Sequence, residues 1–272
     1  MEEIKQEHTR RQIKKIDLTA FKDAKSPVTE AYRTIRTNLR FSGVDKEMKV
    51  VEITSAVPNE GKSTVLASLA VVMAQAGNRI LLVDCDFRNP TQHKLFGLPN
   101  KGVSNCIATG GDFHEILQHV GQENLDILTS GPVAPNPSEI LMSNRMQVFL
   151  DTAREEYDYV LLDTPPVMPV TDAAALSSKT DGVMLVVASG EDKPEMVQFA
   201  KTRLEQAGAT IIGCVLNKVK VGGGKYGYGY GGKHYGYGYG YGYGYGYGYG
   251  YGYGYYYGDS EKTESTDNSS EQ

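Results

Sequence analysis

The stretch Ala56–Thr64, "AVPNEGKST", lies between the apolar run "MKVVEITS" and the helix-prone run "VLASLAVVMAQ". A strand that gives way to glycine, lysine and two hydroxyl residues at the head of a helix is the pattern of a phosphate-binding loop, here with Ala56 at the first glycine position. The backbone of Ala56, Val57, Pro58, Asn59, Glu60, Gly61, Lys62, Ser63 and Thr64 would then wrap the phosphates of a nucleotide. Lys62 would reach the β- and γ-phosphates and the Ser63 hydroxyl would ligate Mg²⁺.

Two further runs end in acids. "ILLVDCDFR" delivers Asp84 and Asp86, followed by Arg88, and "YVLLDTPP" delivers Asp163. Strand C-termini in open α/β sheets point into the ligand crevice, so Asp84, Asp86 and Asp163 are expected to converge beside the loop as metal-holding carboxylates. The pair Asp84 and Asp86 can divide the work, one holding metal through water and one accepting a hydroxyl proton. Thr164 and Pro165 follow Asp163, where many phosphate-loop ATPases carry an acid, so efficient hydrolysis is not signalled. Asn217, after the last apolar strand, is the candidate for contact with the adenine base.

Outward from these motifs, apolar β-prone runs alternate with helical stretches at about 62–75, 113–119, 138–156 and 194–207. Several runs are apolar without a break, as in strands covered by helices on both faces. The expectation is an α/β fold with a doubly wound, mostly parallel sheet of the P-loop NTPase type. Val28, Tyr32, Ile35 and Leu39 recur at helical spacing, opposite Glu30, Arg33, Arg36 and Arg40. Residues 1–25, polar and charged, are expected to form a flexible arm, and 26–221 the nucleotide-binding domain.

The 272 residues carry 40% hydrophobic and 22% charged side chains and a formal net charge of −5. That balance argues against a nucleic-acid partner. Cys85, Cys106 and Cys214 are too few and too scattered for a disulfide framework or a zinc site, and fit a reducing cytoplasm. No apolar run is long enough to span a bilayer. From residue 222 the composition breaks into a Tyr/Gly ladder and then an acidic end, expected to be disordered. The ladder holds Tyr226, Tyr228, Tyr230, Tyr235, Tyr237, Tyr239, Tyr241, Tyr243, Tyr245, Tyr247, Tyr249, Tyr251, Tyr253, Tyr255, Tyr256 and Tyr257.

The phosphate loop, "ILLVDCDFR", "VLLDTPP", the tyrosine tail and "EAYRTIR" together resemble the bacterial tyrosine kinases of capsule and exopolysaccharide systems. The resemblance implies Mg²⁺- and ATP-dependent autophosphorylation of the tail tyrosines in trans, with Lys62, Asp84, Asp86 and Asp163 essential. It implies a ring-shaped homo-oligomer built through Glu30, Arg33 and Arg36. The partners it implies are a transmembrane adaptor of the chain-length-regulator type, which holds the kinase at the inner face of the membrane, and a phosphotyrosine phosphatase. The partitioning and septum-site ATPases, the competing class, carry an extra lysine early in the loop, where this chain has Val57.

An acceptor on a tail must travel. Glycine at alternate positions frees the backbone, and a coil of about 35 residues reaches roughly 30–35 Å. Each phosphate would add about −1.5 to −2 charges, making the tail a graded charge switch on the oligomer.

Overall fold

The computed structural model describes residues 18–43 and 47–219. The apolar runs form β1 (Val50–Ser55), β2 (Ile80–Asp84), β3 (Gln118–His119), β4 (Leu125–Leu128), β5 (Tyr159–Asp163), β6 (Gly182–Ala188) and β7 (Ile211–Asn217). They lie in one sheet of order β3-β4-β2-β5-β1-β6-β7, parallel throughout except for β3, which runs antiparallel to β4. Asp84 and Asp163 end neighbouring strands in direct register.

Helices α1 (Thr19–Lys22), α2 (Pro27–Ser42), α3 (Lys62–Gln75), α4 (Gln92–Phe96), α5 (Val103–Thr109), α6 (Pro137–Met142), α7 (Asn144–Glu156), α8 (Asp172–Ser177) and α9 (Pro194–Gln206) connect and cover the strands. Strand side chains alternate between faces. Ile80 and Leu82 of β2 therefore join the α3 core, whereas Leu81 and Val83 join Phe149 and Leu150 of α7. A third cluster packs Val183 and Leu185 of β6 against Ala200 and Leu204 of α9. Helix α3 is buried along its length apart from Thr64 and Gln75. Its apolar residues on every side suit a helix sandwiched between sheet and other helices. Ser26 caps α2 by accepting the Thr29 N–H at 3.1 Å, with Pro27 in the first turn.

The structure departs from the expected elements in four places. Residues 113–119 form a single 3-10 turn, Phe113–Ile116, and then β3, because Leu117 is extended and Gln118 pairs with β4. The stretch 138–156 is two helices, since the Ser143 hydroxyl accepts the Met146 N–H at 3.1 Å and starts a new one. Short helices α4, α5 and α8 are additional. Residues 18–25, assigned to the arm by their polarity, pack through Leu18 and Ala20, which are buried in the α3 core. Residues 1–17 lie outside the described residues. Among the described residues no helix is long and apolar enough to cross a membrane.

Leu82 is fully buried at the centre of the α3 face. Leu82→Ala should lower the unfolding free energy by about 2–5 kcal/mol, read as a reduced midpoint in urea denaturation.

Candidate active site

Gly61 hands β1 over to α3 with a left-handed backbone, φ 92°. That turn starts α3 at Lys62, so the lysine and Ser63 stand at the mouth of the sheet. Added bulk at Gly61 is excluded twice over: a side chain would need a strained φ, and a Cβ would lie 2.3 Å from the Asn217 amide nitrogen.

The Lys62 ammonium donates to Asp86 Oδ2 at 3.1 Å, to Asp163 Oδ1 at 3.1 Å and to Ser63 Oγ at 3.2 Å. Burial alone would push its pKa down, but Asp163 and Asp86 outweigh burial and hold it above the usual lysine range. Gln92 closes the ring, donating to Asp163 Oδ2 at 2.8 Å and to the Ser63 carbonyl at 3.1 Å. No sequence motif pointed to Gln92.

Asp84 has a different environment. Its Oδ2 accepts the N–H groups of Thr91 and Gln92 at 3.0 and 2.9 Å, and its Oδ1 accepts the Asp86 N–H at 3.2 Å. It is fully buried, and burial followed by the Asp163 charge pushes its pKa upward despite these amides. Asp86 lines the open cleft, and its Oδ1 accepts the Asn89 N–H at 2.9 Å.

The phosphate loop is shaped by its own side chains. Glu60 accepts the Val57 N–H at 2.7 Å, so this amide turns toward the carboxylate. Burial and the neighbouring Asp192 push Glu60 up to about 7. Asn217 donates to the Glu60 carbonyl at 2.8 Å, tying the end of β7 to the loop. Ala56 is buried, and its carbonyl accepts the Met168 N–H at 3.1 Å. Pro58, Asn59, Gly61, Lys62, Ser63 and Thr64 line a cleft of about 460 Å³ together with Asp86 and Arg88.

Among the described residues no three acidic, imidazole or thiol groups form a metal cage by themselves. The donors present are oxygens, from Ser63, Asp86 and Asp163 with Asp84 behind them. That set fits a Mg²⁺ ion that completes its shell with water and nucleotide phosphates, the usual arrangement for this cation.

Residues 48–193 match an AAA domain family. The chain is 42% identical over 206 residues to the tyrosine-protein kinase YwqD of Bacillus subtilis, covering 75% of this chain and 87% of YwqD. The chain belongs to the bacterial tyrosine kinases of capsule and exopolysaccharide systems. Among solved structures, the kinase domain of the Escherichia coli tyrosine kinase ETK superposes with a TM-score of 0.72 at 38% identity, covering 78% of this chain and 84% of that domain. A chimerical protein, CapA2B2, superposes with a TM-score of 0.71 at 40% identity, covering 74% of this chain and 89% of the other.

In this bacterial tyrosine kinase the "EAYRTIR" residues are partly engaged within the chain. Glu30 pairs with Arg33 on the exposed side of α2, and Arg36 donates to the Val72 carbonyl at 3.2 Å. Of the apolar stripe, Leu39 is buried, Tyr32 and Ile35 pack against the α3 core and Val28 is exposed. The sixteen candidate acceptor tyrosines lie outside the described residues.

Two polar clusters beside the site had no sequence signal. Arg88 grips the fully buried Asp172 through Nε at 2.7 Å and Nη2 at 3.0 Å. Glu52, fully buried in β1, accepts the Thr164 hydroxyl at 2.9 Å, which steadies the residue after Asp163. Burial raises Glu52 from 4.5 to about 8, only partly offset by the Thr164 hydrogen bond. Between those values the folded chain binds a proton that the unfolded chain has lost, so stability falls as pH rises through this window. Glu52→Gln removes the linkage. The variant should therefore gain stability over the parent from pH 5 to 8, by an amount on the order of a few kcal/mol at the upper end, measured by denaturant unfolding at each pH.

Proposed function

We propose that this kinase transfers the γ-phosphoryl group of ATP to tyrosine hydroxyls, its own tail on a neighbouring copy among them, in control of capsule or exopolysaccharide synthesis. The observation that carries the reading is the convergence of Lys62, Ser63, Asp86 and Asp163 within hydrogen-bond reach at the strand ends. The tyrosyl oxygen forms a bond to Pγ as the bond from Pγ to the β–γ bridging oxygen breaks. The hydroxyl proton passes to a carboxylate, and ADP leaves.

Lys62 holds positive charge where the transferring group becomes more negative. Asp86 and Asp163 hold the metal side of the site with Ser63. Mg²⁺, when bound there, would supply positive charge toward the phosphates. Asp84 is assigned the proton: its Oδ1 accepts a single backbone N–H, and because the residue is fully buried behind the cleft that Asp86 lines, the proton reaches it by way of Asp86 or water. Asn217 is assigned to the adenine base, with its amide nitrogen already tied to the loop.

Family resemblance adds the assembly. Glu30, Arg33 and Arg36 join subunits in a ring, and a transmembrane adaptor of the chain-length-regulator type places the kinase at the inner face of the membrane and activates it. A phosphotyrosine phosphatase resets the tail. Multiply phosphorylated tails repel one another and loosen the ring.

Incubation with Mg²⁺-ATP, with and without the adaptor's cytoplasmic segment, should yield phosphotyrosine in the tail by mass spectrometry. Chelation of the metal and Lys62→Met should each abolish it. Label that survives Lys62→Met would refute the site, and ATP binding without any phosphotyrosine would fit a nucleotide switch instead. The two acids separate kinetically. Asp84→Asn should keep nucleotide affinity and lower kcat by about 10²-fold or more, whereas Asp86→Asn should weaken Mg²⁺-dependent nucleotide binding in a fluorescence titration.

A further inference from the structure

The cleft has two unlike halves. One carries the loop backbone, Lys62 and Ser63, suited to a triphosphate. The other is a wall of Pro165, Pro166, Pro169 and Val170, which offers phosphate nothing. Prolines lack an N–H to donate and hold their rings rigidly. Two rows of hydrogen bonds fix this wall in place. Thr164 and Val167 donate backbone N–H groups to Ile53 and Ser55 at 3.1 and 2.9 Å, and the Thr54 hydroxyl donates to the Pro165 carbonyl at 2.8 Å.

Arg88 lines the same cleft. One edge of its fork is occupied: Nε and Nη2 both go to Asp172, at 2.7 and 3.0 Å, and Nη2 also lies 3.5 Å from the Ser138 hydroxyl. Ser138 in turn donates to Asp172 at 2.5 Å. Asp172 is fully buried, while the Arg88 side chain remains 42% exposed. The guanidinium is thus held in one plane, its charge matched from behind. A phosphate could not take the bidentate Nε/Nη2 edge without displacing Asp172 and would be left with Nη1 alone. With 42% of the side chain exposed, the guanidinium can instead present its flat face, the surface that stacks on aromatic rings.

We propose that Arg88 and the Pro165–Pro166–Pro169–Val170 wall form the subsite that holds the acceptor's phenol ring and selects tyrosine over serine and threonine. The inference rests on the kinase reading of this cleft and adds the recognition of its second substrate. The occupant is a tyrosyl side chain in an extended peptide with glycine on either side, the sequence that this chain repeats from Tyr237 to Tyr253. Flanking glycines let the peptide backbone approach the proline rings without a Cβ in the way. A phenol carries its hydroxyl at the far end of the ring, so the ring fills the slot while the oxygen reaches the carboxylates. A seryl or threonyl hydroxyl sits on Cβ and would need the peptide backbone itself to pass the wall.

The test uses the full chain with the adaptor's cytoplasmic segment, Mg²⁺-ATP and the peptide Gly-Tyr-Gly-Tyr-Gly. Pro169→Ser and Arg88→Lys should each raise the peptide KM about five-fold or more, in keeping with lost ring contacts, and leave the KM for ATP and the affinity for a fluorescent ATP analogue within about two-fold. Gly-Phe-Gly-Phe-Gly, which keeps the ring and lacks the hydroxyl, should compete with the tyrosine peptide, and both variants should weaken that competition in parallel. An unchanged peptide KM in both variants, an equal rise in the KM for ATP, or no competition by the phenylalanine peptide overturns the subsite. Should Arg88→Lys fail to fold, Pro169→Ser still decides. A parent chain that binds no nucleotide or makes no phosphotyrosine removes the kinase reading itself, a result visible before any variant is made.

Discussion

A lysine ammonium held between Asp86 and Asp163 is the interaction around which this molecule is arranged. Asp163 at the end of β5 and Asp86 just past the end of β2, with Asp84 behind them, would repel one another in a buried setting. Lys62 offsets that repulsion, and the upward shift of Asp84 lowers the remaining negative charge. Removing one partner of such a buried group leaves uncompensated charge, at a cost on the order of 3–5 kcal/mol. The residue to which we assign stabilisation of the transferring phosphoryl group is thus also the one that lets the acids coexist before any nucleotide arrives.

The phosphate loop is held in shape by parts of the chain far from it in sequence. Glu60 takes one of the loop's own amides, Asn217 reaches from the end of β7 to the Glu60 carbonyl, and Asp192 presses on Glu60 from the segment before α9. Behind the sheet ends, Glu52 and Thr54 hold Thr164 and Pro165, so the turn after Asp163 is fastened to β1 rather than left free. Preorganisation of this kind aims charges before the substrate binds, which is where most electrostatic catalysis originates.

How much of this was legible depended on the range of the interaction. Each β-prone run became a strand: β1, β2, β5 and β6 are buried almost throughout between helix layers, whereas the edge strand β7 has no fully buried residue. The 113–119 segment looked helical by composition but turned extended at Leu117, where pairing of Gln118 with β4 outweighed local preference. Within 138–156 the single hydroxyl of Ser143 satisfied a backbone donor and broke one helix into two. Residues 18–25 read as polar arm, yet Leu18 and Ala20, with Phe21 beside them, dock them on the α3 core.

The sequence by itself determined the nucleotide chemistry: a glycine that must turn left-handed, a lysine and a serine at a helix start, and acids at the ends of apolar strands are local patterns whose meaning does not depend on distant partners. Only the tertiary structure decided what each acid touches. It buried Asp84 among backbone amides, opened Asp86 to the cleft, enlisted Gln92, and paired the Arg88 fork edge-on with Asp172 in a cleft that prolines also line. Those contacts join residues tens of positions apart, and it is burial and pairing between strands, not neighbourhood in the chain, that brings them within hydrogen-bond reach.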